Sequence, residues 1–81
     1  MHLQHLVGLD LSSNFLPEWP AELFQLSQLV SLNLSGNFIT RIPDRIALFT
    51  QLRTFLIHGN QLHYIPRILY FLTNLTALNI S

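Results

Sequence analysis

A pattern of leucines and asparagines recurs every 23 residues along this 81-residue chain. Leu6, Leu29, Leu52 and Leu75 each begin the motif L-x-x-Φ-x-Φ-x-x-N-x-Φ, where Φ is an apolar residue, although the fourth copy ends before its asparagine. Self-similarity at a fixed period of about 20 to 50 residues is typical of repeat proteins, in which each unit packs only on its neighbours. The sequence therefore predicts a solenoid of stacked units rather than a domain with one central core.

The period divides the chain into three complete repeats and a partial fourth. They comprise residues 6–28, 29–51, 52–74 and 75–81. Residues 1–5 fit the tail of a preceding repeat, because Leu3 stands three residues before Leu6 as Leu26 stands before Leu29. Repeat arrays usually carry polar caps, and no such cap is visible in the sequence. We therefore expect a section of a longer array. The alternative is a short protein whose open ends are covered by self-association.

Alternating apolar and polar residues predict a short strand near the start of each repeat. The alternating segments are Leu9-Asp10-Leu11, Leu32-Asn33-Leu34, Phe55-Leu56-Ile57 and Leu78-Asn79-Ile80. Stacked repeats place these strands side by side in a parallel sheet, about 4.8 Å apart. Leu9, Leu32, Phe55 and Leu78 are therefore expected to be lateral neighbours.

An asparagine follows each of the first three strands, at the ninth position of the motif: Asn14, Asn37 and Asn60. The chain turns through the interior at this point, and buried backbone N–H and C=O groups need partners there. An amide side chain can both donate and accept hydrogen bonds. We expect the three asparagines to form an internal, structural ladder.

An apolar residue precedes a proline on the return path of each repeat, at Trp19-Pro20, Ile42-Pro43 and Ile65-Pro66. Proline is tolerated in the first turn of a helix, so short helices or 3₁₀ segments are predicted to start at the three prolines. Apolar residues follow at helical spacing and are expected to close the convex side. They are Leu23, Leu26, Ile46, Phe49, Leu69 and Leu72.

The complete unit, L-x-x-L-x-L-x-x-N-x-L-x-x-[IW]-P-x-x-[IL]-x-x-[LF]-x-x, resembles the 23-residue class of leucine-rich repeat over residues 3–81. It looks most like the repeats of intracellular Ras-group scaffolds and of the Scribble- and Erbin-like LAP proteins. The resemblance implies an α/β fold: a right-handed solenoid with short parallel strands on the concave face and short helices or 3₁₀ turns on the convex face. It also implies a protein-binding scaffold in signalling, with the partner on the concave sheet. It carries over no catalytic residue.

The candidate partner contacts are outward-facing strand residues and the loop residues that follow them. Phe15 and Phe38 share the tenth position of adjacent repeats, and a stacked, exposed pair there would suit a binding anchor because aromatic residues are enriched at interface hot spots. The alternative is that both rings cover the loop edge as an extension of the core. The full set of candidates is Asp10, Ser12, Phe15, Asn33, Ser35, Phe38, Arg53, Leu56 and His58.

Composition argues against several other functions. Only 10% of the residues are charged and the net charge is zero, unlike the basic surface that binds nucleic acid. The chain has no cysteine, so it has no thiol nucleophile or zinc-thiolate cluster. His58 and His63 lack the companion ligands that a zinc site requires. We expect no enzyme activity, no cofactor and no metal. The longest apolar run, residues 68–72, is too short to insert across a membrane.

Location and role leave alternatives open. The absence of cysteine caps and of a signal-peptide pattern favours the cytoplasm. One alternative is a segment of a cell-surface receptor ectodomain. Asn33, Asn74 and Asn79 begin glycosylation triplets, but the repeat generates such triplets by itself. Another alternative is an architectural spacer that self-associates through its uncapped ends and the apolar surface of Ile68, Tyr70 and Phe71.

Overall fold

The computed structural model describes residues 6–72 and 74–80, and it describes Tyr70 and Phe71 without their side chains. Three predictions therefore fall outside the described part of the chain. They concern Leu3 as part of a preceding repeat, Ser81 as the last residue of the partial fourth repeat, and the apolar surface built on Tyr70 and Phe71.

Four strands of three residues each form one parallel sheet. They are β1 (Gly8–Asp10), β2 (Ser31–Asn33), β3 (Thr54–Leu56) and β4 (Ala77–Asn79), and they lie in the order β1-β2-β3-β4. The register joins residues that are 23 apart in sequence, so Leu9 is opposite Leu32, Leu32 opposite Phe55, and Phe55 opposite Leu78. The predicted stacking of the repeats is confirmed.

A 3₁₀ helix lies on the return path of each complete repeat, at Ala21–Gln25, Asp44–Leu48 and Arg67–Phe71. The predicted start was early by one residue, since each proline precedes its helix with an extended ψ, for example 116° at Pro20. The proline instead accepts the first hydrogen bond of the helix. The Leu23 N–H donates to the Pro20 carbonyl at 3.1 Å, and the Ile46 N–H donates to the Pro43 carbonyl at 3.1 Å.

The hydrophobic core runs through the stack and is most completely buried in the second repeat. The predicted convex residues are all buried, and Leu29, Leu32, Leu34, Ile39, Ile46 and Phe49 have no exposed surface. Burial falls towards both edges of the sheet. Leu9 is half-buried and Leu78 is 43% exposed, because β1 and β4 each have only one neighbouring strand among the described residues.

Four aromatic rings meet between the sheet and the 3₁₀ helices. Trp19 lies 5.7 Å from Phe24, 6.4 Å from Phe49 and 6.0 Å from Phe55, measured between ring centroids. The Arg45 guanidinium lies 4.9 Å from the centroid of the outer ring, Phe24. These rings come from all three complete repeats. Trp19, Phe49 and Phe55 occupy apolar positions of the motif, whereas Phe24 occupies a variable one.

Candidate functional site

The outward residues of the strands form the rows that the alternation predicted. Gly8, Ser31, Thr54 and Ala77 make one row, and Asp10, Asn33, Leu56 and Asn79 make the next. Small and polar residues dominate both rows, and Leu56 is the one large apolar side chain in them. The row through Asp10 consists of the last residue of each strand, directly before the loops.

Serine side chains close a small turn after each of the first two strands. The backbone N–H and hydroxyl of Ser12 donate to Asp10 Oδ1 at 2.9 and 2.6 Å, and those of Ser35 donate to Asn33 Oδ1 at 3.0 and 2.5 Å. Hydrogen bonds from the Ser12 hydroxyl, and then from its backbone N–H, lower the pKa of Asp10 below its usual range. Asp10 is exposed. Because its pKa is lowered, its carboxylate is ionised at neutral pH.

One candidate contact is in a different environment from the one expected. Ser35 was predicted to face outward beside Ser12 and His58, but only 6% of it is exposed. Its hydroxyl is bound to Asn33, and its carbonyl accepts the Ser13 N–H at 2.9 Å. Because both polar groups are used within the turn, Ser35 is not available to a partner.

The third repeat lacks the corresponding turn. Leu56 stands where Asp10 and Asn33 stand in the other repeats, and an alkyl side chain has no oxygen to accept a hydrogen bond. His58 occupies the position of Ser12 and Ser35. It is half-buried, and its Nδ1 is enclosed without a hydrogen-bond partner among the described residues.

The side chain of Asn37 joins the turns of the first and second repeats. Its Oδ1 accepts the backbone N–H groups of Asn14 and Leu16, both at 2.9 Å. Its Nδ2 donates to the carbonyls of Leu11 at 3.1 Å and Leu34 at 3.0 Å. Asn37 is 3% exposed, so its contacts are internal and it cannot touch a ligand.

Asn60 repeats this arrangement one turn later, and Asn14 does so only in part. Asn60 Oδ1 accepts the Ile39 N–H, and its Nδ2 donates to the Leu34 carbonyl, both at 2.9 Å. Asn14 is exposed, and its Nδ2 donates to the Ser12 carbonyl at 3.2 Å. Among the three asparagines, the side chain of Asn37 therefore makes the most hydrogen bonds, and that of Asn14, beside the edge strand β1, makes the fewest.

The rings of Phe15 and Phe38 stack at the outer end of these turns, and we call them the ring pair. Their centroids are 6.2 Å apart and their planes are inclined by 22°. Phe15 is 78% exposed and Phe38 is 46% exposed, so the Phe15 ring is not an extension of the core. The φ angle of Phe15 is 59°, a left-handed conformation that is uncommon for a bulky residue.

A cavity of about 230 Å³ lies between the loops of the first two repeats, lined by Glu18, Trp19, Thr40, Arg41 and Pro43. Sequence analysis did not predict it. No motif marks these residues as a site, although Glu18 and Arg41 are one period of 23 residues apart and the stacking of the repeats makes them neighbours. The remaining candidate contact, Arg53, is exposed just before β3.

The described residues lack two kinds of feature. They contain no group of three or more histidine, cysteine, aspartate or glutamate side chains placed to hold a metal ion. Residues 6–72 and 74–80 also contain no helix long and apolar enough to cross a membrane.

Comparison with known proteins agrees with this geometry. The family model described as leucine rich repeat matches residues 4–62. The chain belongs to the leucine-rich repeat family. A solved structure of a leucine-rich repeat protein from Leptospira interrogans superposes with a TM-score of 0.63 at 25% sequence identity. The match covers 96% of this leucine-rich repeat chain and 26% of that one, so the chain spans about a quarter of the length of the protein it matches.

These findings confirm the predicted fold class and the predicted family. Leucine-rich repeat domains generally mediate protein–protein interaction and are typically not enzymes. A search of curated proteins gives no significant match. The likeness to the Ras-group and LAP scaffolds stays a prediction.

Proposed function

We propose that this leucine-rich repeat chain is a protein-interaction module whose partner is anchored on the ring pair, at the edge of the concave sheet. The observation that carries the proposal is the exposure of two stacked aromatic rings, 78% at Phe15 and 46% at Phe38. Trp19, the other large ring on these two loops, is buried in the core.

Covering the ring pair removes apolar surface from water, which stabilises a complex by about 25 cal/mol for each Å² buried. Aromatic side chains lose little conformational entropy on binding, and they dominate the energetics of many interfaces. Stacking on Phe38 further restricts the Phe15 ring before the partner arrives. The pair is therefore a partly preorganised anchor.

The concave rows supply the polar border of the proposed contact. Asp10, Asn33 and Leu56 lie on neighbouring strands, with Ser12, Arg53 and His58 beside them. The sheet is four strands wide, about 15 Å. Its outer face therefore covers much less area than the roughly 800 Å² that each partner of a stable complex contributes. We therefore expect modest affinity from this stretch of repeats alone.

The resemblance to intracellular scaffolds supports a further proposal, that the interaction serves signalling in the cytoplasm. The receptor-ectodomain and self-associating alternatives stay predictions. The exposed Val7 and Leu78 at the two edges of the sheet are consistent with self-association.

The test replaces both rings, in the double variant F15A/F38A. Dodecapeptides selected from a random display library on the wild-type chain serve as probes, and their affinities are measured by biolayer interferometry. We expect a loss of at least tenfold, because the anchor is removed while the core is untouched, and circular dichroism should show an unchanged fold. The matched control is L48A/Y64A, which removes apolar side chains that are 49% and 56% exposed elsewhere. An equal loss in both variants, or in neither, contradicts the proposal.

A further inference from the structure

Much of the hydrogen-bonding capacity at the ends of the concave strands is used within the molecule. Asp10 Oδ1 and Asn33 Oδ1 each accept two hydrogen bonds from the serine two residues later. A partner that binds these two oxygens must compete with bonds that are already made, so the concave rows can form a polar border but add little affinity. Polar groups without internal partners offer more.

Such groups lie on the neighbouring surface, where the loops leave β1 and β2. We call this surface the loop flank and define it by Phe15, Glu18, Phe38, Thr40 and Arg41. Glu18 and Arg41 are both exposed, and neither makes a hydrogen bond or an ion pair with another described residue. Both nevertheless line the same cavity of about 230 Å³.

The cavity and the ring pair are close together along the chain. Glu18 follows Phe15 by three residues, and Arg41 follows Phe38 by three. Three residues of fully extended chain span at most about 11 Å. A ligand that places one side chain on the rings therefore reaches the cavity within about three of its own residues.

We infer that the loop flank binds an extended, uncharged peptide segment, with an apolar side chain on the ring pair and an amide group in the cavity between Glu18 and Arg41. This inference rests on the proposed function, because it uses the same ring pair. It adds a second contact outside the concave rows and specifies the chemistry of the segment that is bound.

The charges in the cavity are the reason for an amide. Glu18 and Arg41 both line this small space, so a ligand with a single charge is attracted by one and repelled by the other. An amide carries an N–H donor for Glu18 and a carbonyl acceptor for Arg41. The backbone supplies this group at every residue except proline, which lacks the N–H, and asparagine and glutamine supply it from their side chains.

The size and walls of the cavity fit the same ligand. A volume of about 230 Å³ is below the range of roughly 300–1,000 Å³ that is common for small-molecule sites. It suits about one residue of a peptide. Trp19 and Pro43 form apolar walls, and the Thr40 hydroxyl adds a further group that can donate or accept.

The first test removes both charged groups, in E18A/R41A, and measures the affinity of the library-selected dodecapeptides. We expect a loss of at least fivefold. The matched control is E22A/R67A, which makes the same two changes at exposed positions on the convex helices and should change affinity by less than twofold.

If F15A/F38A abolishes capture while E18A/R41A does not, the ring anchor stands and the amide site is wrong. If neither variant matters, or no peptide is selected, both proposals are wrong.

The second test asks whether the charges choose the ligand. Repeating the selection on E18R, which leaves two cations in the cavity, should enrich acidic residues within about three positions of an apolar residue. Selection on R41E should enrich basic residues in the same window, whereas the wild type should enrich neither. Wild-type binders that carry a preferred charge in this window, or identical preferences in all three selections, overturn the inference.

Discussion

Asn37 makes five hydrogen bonds to backbone groups of the first two repeats. Replacing it with alanine leaves several of those buried groups without partners, and we expect a loss of about 3 kcal/mol in the free energy of unfolding. Urea denaturation followed by circular dichroism measures this loss. Asn14→Ala is the control, since Asn14 is exposed and its amide makes one hydrogen bond. Equal losses at the two positions contradict a role for the ladder in joining repeats.

The sequence predicts the structural role of some residues and misses the environment or conformation of others. The role of Asn37 follows from its spacing, because every strand exit in the stack meets the same shortage of hydrogen-bond partners. The burial of Ser35 does not follow, since it depends on a side-chain bond to Asn33 and on the approach of the preceding turn. The left-handed backbone of Phe15 also has no signal in the residue type, which disfavours that conformation.

The strands differ in burial because they differ in the number of neighbouring strands. Leu32 in β2 is fully buried between Leu9 and Phe55, whereas Leu78 in β4 is 43% exposed. We expect Leu32→Ala to lower the free energy of unfolding by about 3 kcal/mol, within the range for leucine cavities. Leu78→Ala should cost less than about 1 kcal/mol, because little contact is lost. Chemical denaturation of both variants is the measurement, and a larger loss at Leu78 would show that the edge strand is better packed than its exposure indicates.

Secondary-structure elements were predicted well in register and less well in their boundaries. The period of 23 determines which residues pair, because equivalent positions of stacked repeats must be neighbours. The start of the 3₁₀ helices was missed by one residue. Proline restricts φ but leaves ψ free, and here ψ is extended, so the proline precedes the helix instead of beginning it.

At the scale of the molecule, stability should decrease from the second repeat towards both edges. The Leu34 N–H donates to the Leu56 carbonyl beneath fully buried side chains, while the Ala77 N–H belongs to the edge strand β4. We expect hydrogen exchange at Leu34 to be at least tenfold slower than at Ala77, because local opening is easier where fewer apolar contacts hold the strand. Exchange followed by NMR measures both amides. Equal protection would mean that the stack opens only as a whole.

The overall architecture was predictable, whereas the binding surface was predictable only in part. A solenoid repeats its core by rule, so three copies of the motif are enough to infer the stack. The loop flank depends on side chains that the motif leaves variable. Glu18 and Arg41 are 23 residues apart, so the period predicts that they are neighbours, but nothing in the motif indicates that a cavity lies beside them.

Trp19 is the only tryptophan in the chain, and its indole packs against rings from all three complete repeats. Its fluorescence therefore depends on the seams between repeats as well as on the surroundings of its own loop. A change in its emission spectrum therefore reports the separation of one repeat from the next, even where the strand within each repeat is still formed. Trp19 is thus an intrinsic fluorescent probe of repeat stacking, and no label has to be attached.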